Sequence, residues 1–416
     1  NSMAGDFILE YTITPNLSFS TNNRAAFRNS KRELYYDVRS KAGAGQGRLT
    51  NDFENTTQLI TSNRLSYAQK FGNHNFNAIA VAEAETNSFE NGSMTGSGLA
   101  PGLHVMNAAS RMLLGSGSNG DNAFSKGLVQ LDYNYVNRYF LIGSLVRESS
   151  SRFGADNKAA NFYTVGGSWI VSNETFLQNH RIFDLLKVRA SYGLTGNAQI
   201  GDYQTLGLYS FSTQYAGYSG SYPFQLANTN LTWEKAKTVN FGLDIGFFKR
   251  ATLNIDVYDK TTSELLLNTQ LPYTTGFASV IQNVGSVQNK GLELNLNTLN
   301  INGQFKWETN FNVAFNRSKV LGLDQGKDIL TIGTGFQPSR IISVDHDLNS
   351  WYMRKWAGVN PANGNPLWEK VSVDASGTKV ITTTSVYNDA TLQFVGTFTP
   401  KFTGGINNVF SYKALT

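Results

Sequence analysis

Between residues 236 and 316 apolar and polar residues alternate over stretches long enough to dictate extended chain. Val239, Phe241, Leu243, Ile245 and Phe247 are separated by Asn240, Gly242, Asp244 and Gly246. After a break at Phe248-Lys249-Arg250, Ala251, Leu253, Ile255 and Val257 alternate with Thr252, Asn254, Asp256 and Tyr258. Leu292, Leu294 and Leu296 then alternate with Glu293, Asn295 and Asn297. Past a turn at Asn300-Ile301-Asn302-Gly303, Trp307, Phe311, Val313 and Phe315 oppose Glu308, Asn310, Asn312 and Asn316. Successive side chains of a strand point to opposite faces, so this stretch is four long strands in two hairpins, each with one apolar and one polar face. In water the apolar faces need a second sheet. In lipid they need only a closed barrel, apolar outside and polar within.

The lengths of the connections decide between these. Further strands are expected at 6–13, from 17, at 59–70, 76–85, 129–135, 139–147, 162–171, 186–192, 350–356 and 402–412. Connections near 14–16, 71–75, 137–138, 248–250 and 300–304 are short. One at 172–184 is intermediate, with a helical turn expected at Ile182, Phe183 and Leu186. Those near 22–58, 86–122, 149–160, 195–235 and 261–287 are long, and 320–343 is expected as another loop. In an up-and-down barrel every second connection lies on the same rim, so all long loops fall on one side. That is the pattern of an outer-membrane barrel, with short periplasmic turns and long extracellular loops. Soluble sandwiches use strands of ~5–6 residues with short connections at both ends.

Composition agrees. Charged residues are only 16% of the chain, and there are 39 Gly against 8 Pro. This suits half-buried strands and polar loops better than helical bundles. No apolar run approaches the ~20 residues of a spanning helix, which leaves spanning strands of ~9–11 residues untouched. The net charge of +5 is scattered without a basic stripe, so nucleic acid is not an expected partner. With no cysteine, disulfides, thiolate catalysis and thiolate zinc sites are excluded. Asn1-Ser2-Met3-Ala4 carries no basic-then-apolar leader, and residues 410–416 stop within an apparent hairpin. Both ends are expected to be truncations.

Several blocks, in order along nearly the whole chain, carry a family resemblance. They are Tyr139-Phe-Leu-Ile-Gly-Ser-Leu-Val-Arg147 with Ser151-Arg-Phe-Gly154, Leu186-Lys-Val-Arg-Ala-Ser-Tyr-Gly-Leu-Thr-Gly-Asn197, and Leu231-Thr-Trp-Glu234. With them go Asn283-Val-Gly-Ser-Val-Gln-Asn-Lys-Gly-Leu-Glu293, Lys355-Trp-Ala-Gly-Val-Asn-Pro361 and Pro400-Lys-Phe-Thr-Gly-Gly405. Together they resemble the SusC/RagA-type TonB-dependent outer-membrane transporters of Bacteroidetes. The resemblance implies an all-β fold: a transmembrane antiparallel up-and-down β-barrel of about 22 strands around a plug. Residues 1–416 would be one central-to-C-terminal piece of it, without the plug. It also implies a SusD-like surface lipoprotein, energy from TonB–ExbB–ExbD through the plug, and import of oligosaccharides or peptides across the outer membrane. A siderophore or vitamin receptor is the rival within that class. A soluble β-rich adhesin or carbohydrate-binding protein is the rival outside it.

No residue is assigned to catalysis, and no cofactor or metal is expected. His74, His104, His180 and His346 lack ligand spacing, and no HExxH, Walker A or GxSxG motif occurs. Gly115-Ser-Gly-Ser-Asn-Gly120 matches GxGxxG without a βαβ context and is expected as loop. Asp345 and Asp347 flank His346 in what is expected to be a solvated loop. The feature that suits a ligand is aromatic: Tyr203, Tyr209, Phe211, Tyr215, Tyr218, Tyr222 and Phe224, spaced by small polar residues. Such rings stack on sugars and pack on peptides, and their hydroxyls add hydrogen bonds. Tyr209, Tyr215, Tyr218 and Tyr222 are the expected ligand contacts. The competing expectations are an external loop with its own small core, or part of the interfacial aromatic girdle. Trp169, Trp233, Trp307, Trp351 and Trp356 are expected as girdle or loop-anchor residues.

Overall fold

Strands dominate the computed structural model, which describes residues 1–177, 182–331 and 338–413. The first are β1 (Ser2–Thr14), β2 (Leu17–Tyr36), β3 (Arg48–Phe71), β4 (His74–Ser97), β5 (Arg111–Tyr135), β6 (Tyr139–Ser150) and β7 (Ala159–Ile170). Next come β8 (Phe183–Asn197), β9 (Leu208–Tyr215), β10 (Tyr218–Gln225), β11 (Glu234–Phe247) and β12 (Ala251–Ser263). β13 (Leu266–Gln270) and β14 (Ser279–Asn283) precede the long β15 (Ser286–Asn302) and β16 (Phe305–Gly322). Short strands follow: β17 (Ile329–Thr331), β18 (Arg340–Ile342), β19 (Ser350–Arg354), β20 (Trp356–Val359), β21 (Pro366–Val373), β22 (Lys379–Thr384) and β23 (Leu392–Thr397). The last is β24 (Thr403–Tyr412).

The chain forms two compact units. One comprises Asn1–Val165, Gly196–Trp233 and Gln270–Ile281, the other Gly166–Thr195, Glu234–Thr269 and Gln282–Thr416. In the first, β1 to β6 and the start of β7 lie side by side in chain order, antiparallel wherever the register is defined. In the second the order is β8-β11-β12-β15-β16-β24, again antiparallel wherever the register is defined. The expected alternation of connections holds. Residues 15–16, 72–73, 136–138, 248–250 and 303–304 are turns, while 37–47, 98–110, 151–158, 198–233, 264–285 and 323–402 are longer. Two of the turns take the hairpin form whose twist matches the strands. Val136 and Asn137 have φ of 55° and 52°, and Phe248 and Lys249 of 52° and 55°.

Several expectations need correction. Residues 22–36 and 48–55 are strand, paired without a break from Leu17↔Tyr67 to Tyr36↔Arg48. Residues 86–97 and 111–122 are strand too, so Gly115 to Gly120 lies in β5 and not in a loop. The alternation signal fails there because it needs one continuous apolar face, and these extensions carry polar residues on both faces with only scattered apolar ones such as Phe53, Phe89 and Met94. Their glycines make room for rings opposite: a Cβ at Gly120 would lie 2.6 Å from the Phe89 ring, its cross-strand partner. Phe183 and Leu186 belong to β8, and the helical turn sits instead at Val171–Asn173. Beyond residue 316, β16 continues to Gly322, and β20–β22 form a small three-stranded sheet that the pattern did not mark. His180 lies outside the described residues.

Burial separates wall from loops. Within the first unit's meander, Val129 and Leu145 face each other and are 60% and 68% exposed. Within the second, Phe241 faces Val257 and is 61% exposed. The fully buried side chains Leu49, Phe153, Leu231, Trp233 and Val320 lie instead at or near the long connections. An exposed apolar strand face of this extent is lipid-facing surface.

Candidate functional site

In the first unit, one line of hydrogen bonds runs from the polar face of the wall to the base of the 198–233 connection. Gln58, Asn87 and Asn122 are in register on β3, β4 and β5. Gln58 Nε2 and Asn87 Nδ2 both donate to Glu85 Oε1, at 2.9 and 2.8 Å. Asn87 also donates to Asn122 Oδ1 at 3.2 Å, and Asn122 donates to Asp202 Oδ2 at 3.3 Å. Arg152 Nε closes the line on Asp202 Oδ1 at 2.7 Å. The next residue, Tyr203, has φ of 61°, and its hydroxyl accepts from the Asp121 N–H at 2.9 Å. A cavity of 290 Å³ remains between these groups. Ligand pockets are commonly ~300–1,000 Å³, so this one is too small for an oligomeric substrate. The network holds the loop in place.

The other end of the connection is held by apolar packing. Trp233 is 1% exposed and Leu231 fully buried. The Trp233 ring lies 5.1 Å from Phe153, 5.5 Å from Phe162 and 6.3 Å from Phe124, and its N–H donates to the Lys158 carbonyl at 3.3 Å. Gly196 is required beside it, because a Cβ there would run into the Phe162 ring. Asn228 Nδ2 donates to the Ile281 carbonyl at 2.7 Å, tying this end to a second long connection. Trp233 is thus a loop anchor, while Trp169 and Trp356 are exposed.

Between the two anchors, β9 and β10 form a hairpin turning at Ala216 and Gly217, with φ of 50° and 83°. Gln225 Nε2 pins its base by donating to the carbonyls of Tyr203 and Leu206 at 2.9 and 2.8 Å. The four expected contact residues all fall on this hairpin. Tyr215 faces Tyr218 across the strands, Tyr209 faces Pro223, and Tyr222 faces Ser210. Tyr215 and Tyr218 are 84% and 79% exposed, and Tyr209, Phe211, Tyr222 and Phe224 are exposed as well. The expected small core therefore exists only at the base of the loop, not among these rings. Residues 203–233 contain no Asp, Glu, Lys or Arg.

The polar face of the second unit carries a charged cluster that sequence reasoning missed. Arg189 on β8 forks between two carboxylates, donating to Asp244 on β11 at 3.0 and 2.9 Å and to Asp256 on β12 at 3.1 and 3.0 Å. It lies over Gly242, where a Cβ would be 2.5 Å from the guanidinium carbon, and Asn254 adds a bond to Asp244 at 2.9 Å. Alternation placed both aspartates on one face, but Arg189 is more than fifty residues distant and has no local signal.

Asp345, His346 and Asp347, expected as a solvated loop, are engaged within the chain. Asp345 pairs with Lys319 at 2.7 Å, which holds its carboxyl below the usual carboxylate range. Asp347 Oδ1 accepts from the Asn349 N–H and from the Thr397 and Thr399 hydroxyls. His346 stacks flat on Phe394 with centroids 3.6 Å apart. Among the described residues no group of three or more acidic, His or Cys side chains is arranged to hold a metal.

Meander, alternating connections and lipid-facing wall meet in one further finding. Residues 4–409 match the family model for TonB dependent receptor-like β-barrels. The chain belongs to that family. TonB-dependent receptor P3 of Formosa agariphila is 29% identical over 441 aligned positions, covering 98% of this chain and 43% of the relative. TonB-dependent receptor SusC of Bacteroides thetaiotaomicron is 34% identical over 271 positions, covering 61% of this chain and 27% of that protein. A solved structure of the RagAB peptide transporter superposes with a TM-score of 0.89 at 25% identity, over 99% of this chain and 46% of the other. The chain thus spans less than half the length of the relatives it matches, and the SusC/RagA resemblance is borne out. This receptor barrel is an all-β outer-membrane barrel, and no described helix is long and apolar enough to cross a membrane.

Proposed function

We propose that the receptor to which this barrel belongs imports oligosaccharides or peptides across the outer membrane, with a SusD-like lipoprotein over its long-loop rim. TonB–ExbB–ExbD would supply the energy, and the barrel wall performs no covalent step. The observation that carries this reading is the β9–β10 hairpin: exposed tyrosines on a segment with no charge, fixed at both ends. Flat rings presented outward suit the apolar faces of sugar rings and the side chains of peptides. Each stacked pair contributes about 0.5–1.5 kcal/mol, so several are needed to hold a substrate. The absence of charge leaves the hairpin without the ion-pair partners an anionic chelate would use. Capture at the rim would precede release along the polar face of the wall.

The test is titration of the full-length receptor with neutral and charged oligosaccharides and with peptides. It is repeated after Tyr209, Tyr215, Tyr218 and Tyr222 are all changed to Ser. Binding of one class should be lost in the variant while its heat-modifiable gel migration is kept. Unchanged binding in a folded variant removes the hairpin from the site. Uptake, unlike binding, should cease in cells lacking TonB.

A further inference from the structure

The lipid-facing side of the second unit carries an arrangement of charge that a bare interfacial rim does not require. Cross-strand register on β11, β12, β15 and β16 puts Phe241, Val257, Leu292 and Phe315 in one row, apolar throughout. The next two rows toward the short turns, through Leu243 and through Ile245, are apolar as well. The next row toward the long loops is Val239, Asp259, Lys290 and Arg317. Charge therefore begins abruptly, where the apolar belt ends.

Within that row Lys290 and Arg317 are directly opposite each other. Like charges in this position destabilise a sheet unless a counter-charge is near. Lys290 has one, Asp259 at 3.1 Å. Arg317 is exposed and forms no ion pair with any described residue. Lys401 is exposed just before β24, and the adjacent Phe402 ring lies 6.2 Å from Phe315. The nearby Asp347 is already engaged by threonine hydroxyls. These groups border a groove of 1110 Å³, apolar along Phe241, Leu292 and Phe402 and basic at Lys290, Arg317 and Lys401. Among the described residues Arg317 and Lys401 thus have no ion-pair partner, at the head of a groove whose floor is hydrocarbon.

We propose that this groove binds a phosphorylated membrane lipid of the outer leaflet. Its phosphate would be held by Arg317 with Lys290 and Lys401, and its acyl chains would lie along the Phe241–Phe315 row. A guanidinium accepts a phosphate in a two-point fork, and lysine contributes a point charge. An apolar floor immediately below excludes free phosphate as the natural occupant, because the floor would stay uncovered. The bland account is snorkelling, in which the long basic side chains reach bulk head groups without selecting any.

Native mass spectrometry of the full-length receptor in detergent separates the two. The probe is phosphatidylglycerol, with phosphatidylcholine and inorganic phosphate as controls. Retention of phosphatidylglycerol should exceed that of phosphatidylcholine. It should fall about tenfold or more in Lys290→Ala with Arg317→Ala, and recover in part with Arg317→Lys. Heat-modifiable migration confirms that each variant is folded, since both side chains are exposed. Equal retention of the two lipids, or no change in the double variant, overturns the proposal in favour of snorkelling. Competition by inorganic phosphate at equal strength overturns the lipid as ligand and leaves an anion site only.

Discussion

The two parts of the 198–233 connection use the same residue types for opposite purposes. At one end Leu231 and Trp233 are buried among Phe153 and Phe162; at the tip, Tyr215 and Tyr218 stand almost entirely in solvent. Local sequence does not separate them, because both stretches are aromatic and neutral. What separates them is what each one meets. Trp233 meets Phe153 of the 151–158 connection, Phe124 midway along β5 and Phe162 near the start of β7, whereas the hairpin meets only its own strands and the pins at its base. One part gives the loop its fixed position, and the other is left exposed.

That contrast can be broken or sharpened in graded steps. The largest effect should come from Trp233→Ala, which empties the anchor and costs about 3–5 kcal/mol of loop stability. Hydrogen exchange across 198–233 should then rise toward the rate of an unstructured loop, while strand amides of β3 to β5 stay protected. A smaller effect is expected from the Arg152–Asp202 pair, whose side chains are 31% and 14% exposed. A double-mutant cycle through Arg152→Ala and Asp202→Asn should give a coupling of about 1 kcal/mol, reduced by residual solvent screening. Tyr215→Ser with Tyr218→Ser should leave stability within about 0.5 kcal/mol and lower substrate affinity instead. If that pair destabilises the loop as much as Trp233→Ala does, the division into anchor and binding surface is wrong.

The smallest effect concerns a different loop. Hydrogen bonds from Arg39 hold the Asp37 carboxyl at about 2, below the usual carboxylate range. Because its folded value is depressed, this contact is fully present above about pH 4 and is lost as pH falls toward 2. Exchange of the 37–47 segment, corrected for its intrinsic pH dependence, should be flat from pH 7 to 4 and rise only below that. Asp37→Asn should remove the acid-dependent rise.

How much of this was legible in the sequence follows from which signals are local. The wall was legible where an apolar face alternates with a polar one, as in β11, β12, β15 and β16. The order of short and long connections then gave the rims. Strand ends beyond the apolar belt were not legible, because β2 to β5 continue there on hydrogen bonding and on glycine–aromatic pairs such as Gly120 with Phe89. The hairpin's aromatic character was visible, but its pinning was not. Gln225 reaches back about twenty residues and Asp202 reaches Arg152 across fifty, and neither contact leaves a periodic trace. The same holds for Arg189, whose two aspartate partners lie on strands that follow much later in the chain.

The central claim is that the wall crosses the outer membrane with the β9–β10 hairpin outside and the short turns inside. The most direct test uses the absence of cysteine in this chain. Single substitutions Tyr218→Cys and Asn137→Cys are placed in the full-length receptor, and intact cells are treated with a membrane-impermeant maleimide, with the unsubstituted receptor as background. The expected result is labelling of the Tyr218→Cys variant in intact cells and of the Asn137→Cys variant only after the outer membrane is permeabilised. Labelling of both in intact cells, or of Asn137→Cys alone, would contradict the assignment of the two rims.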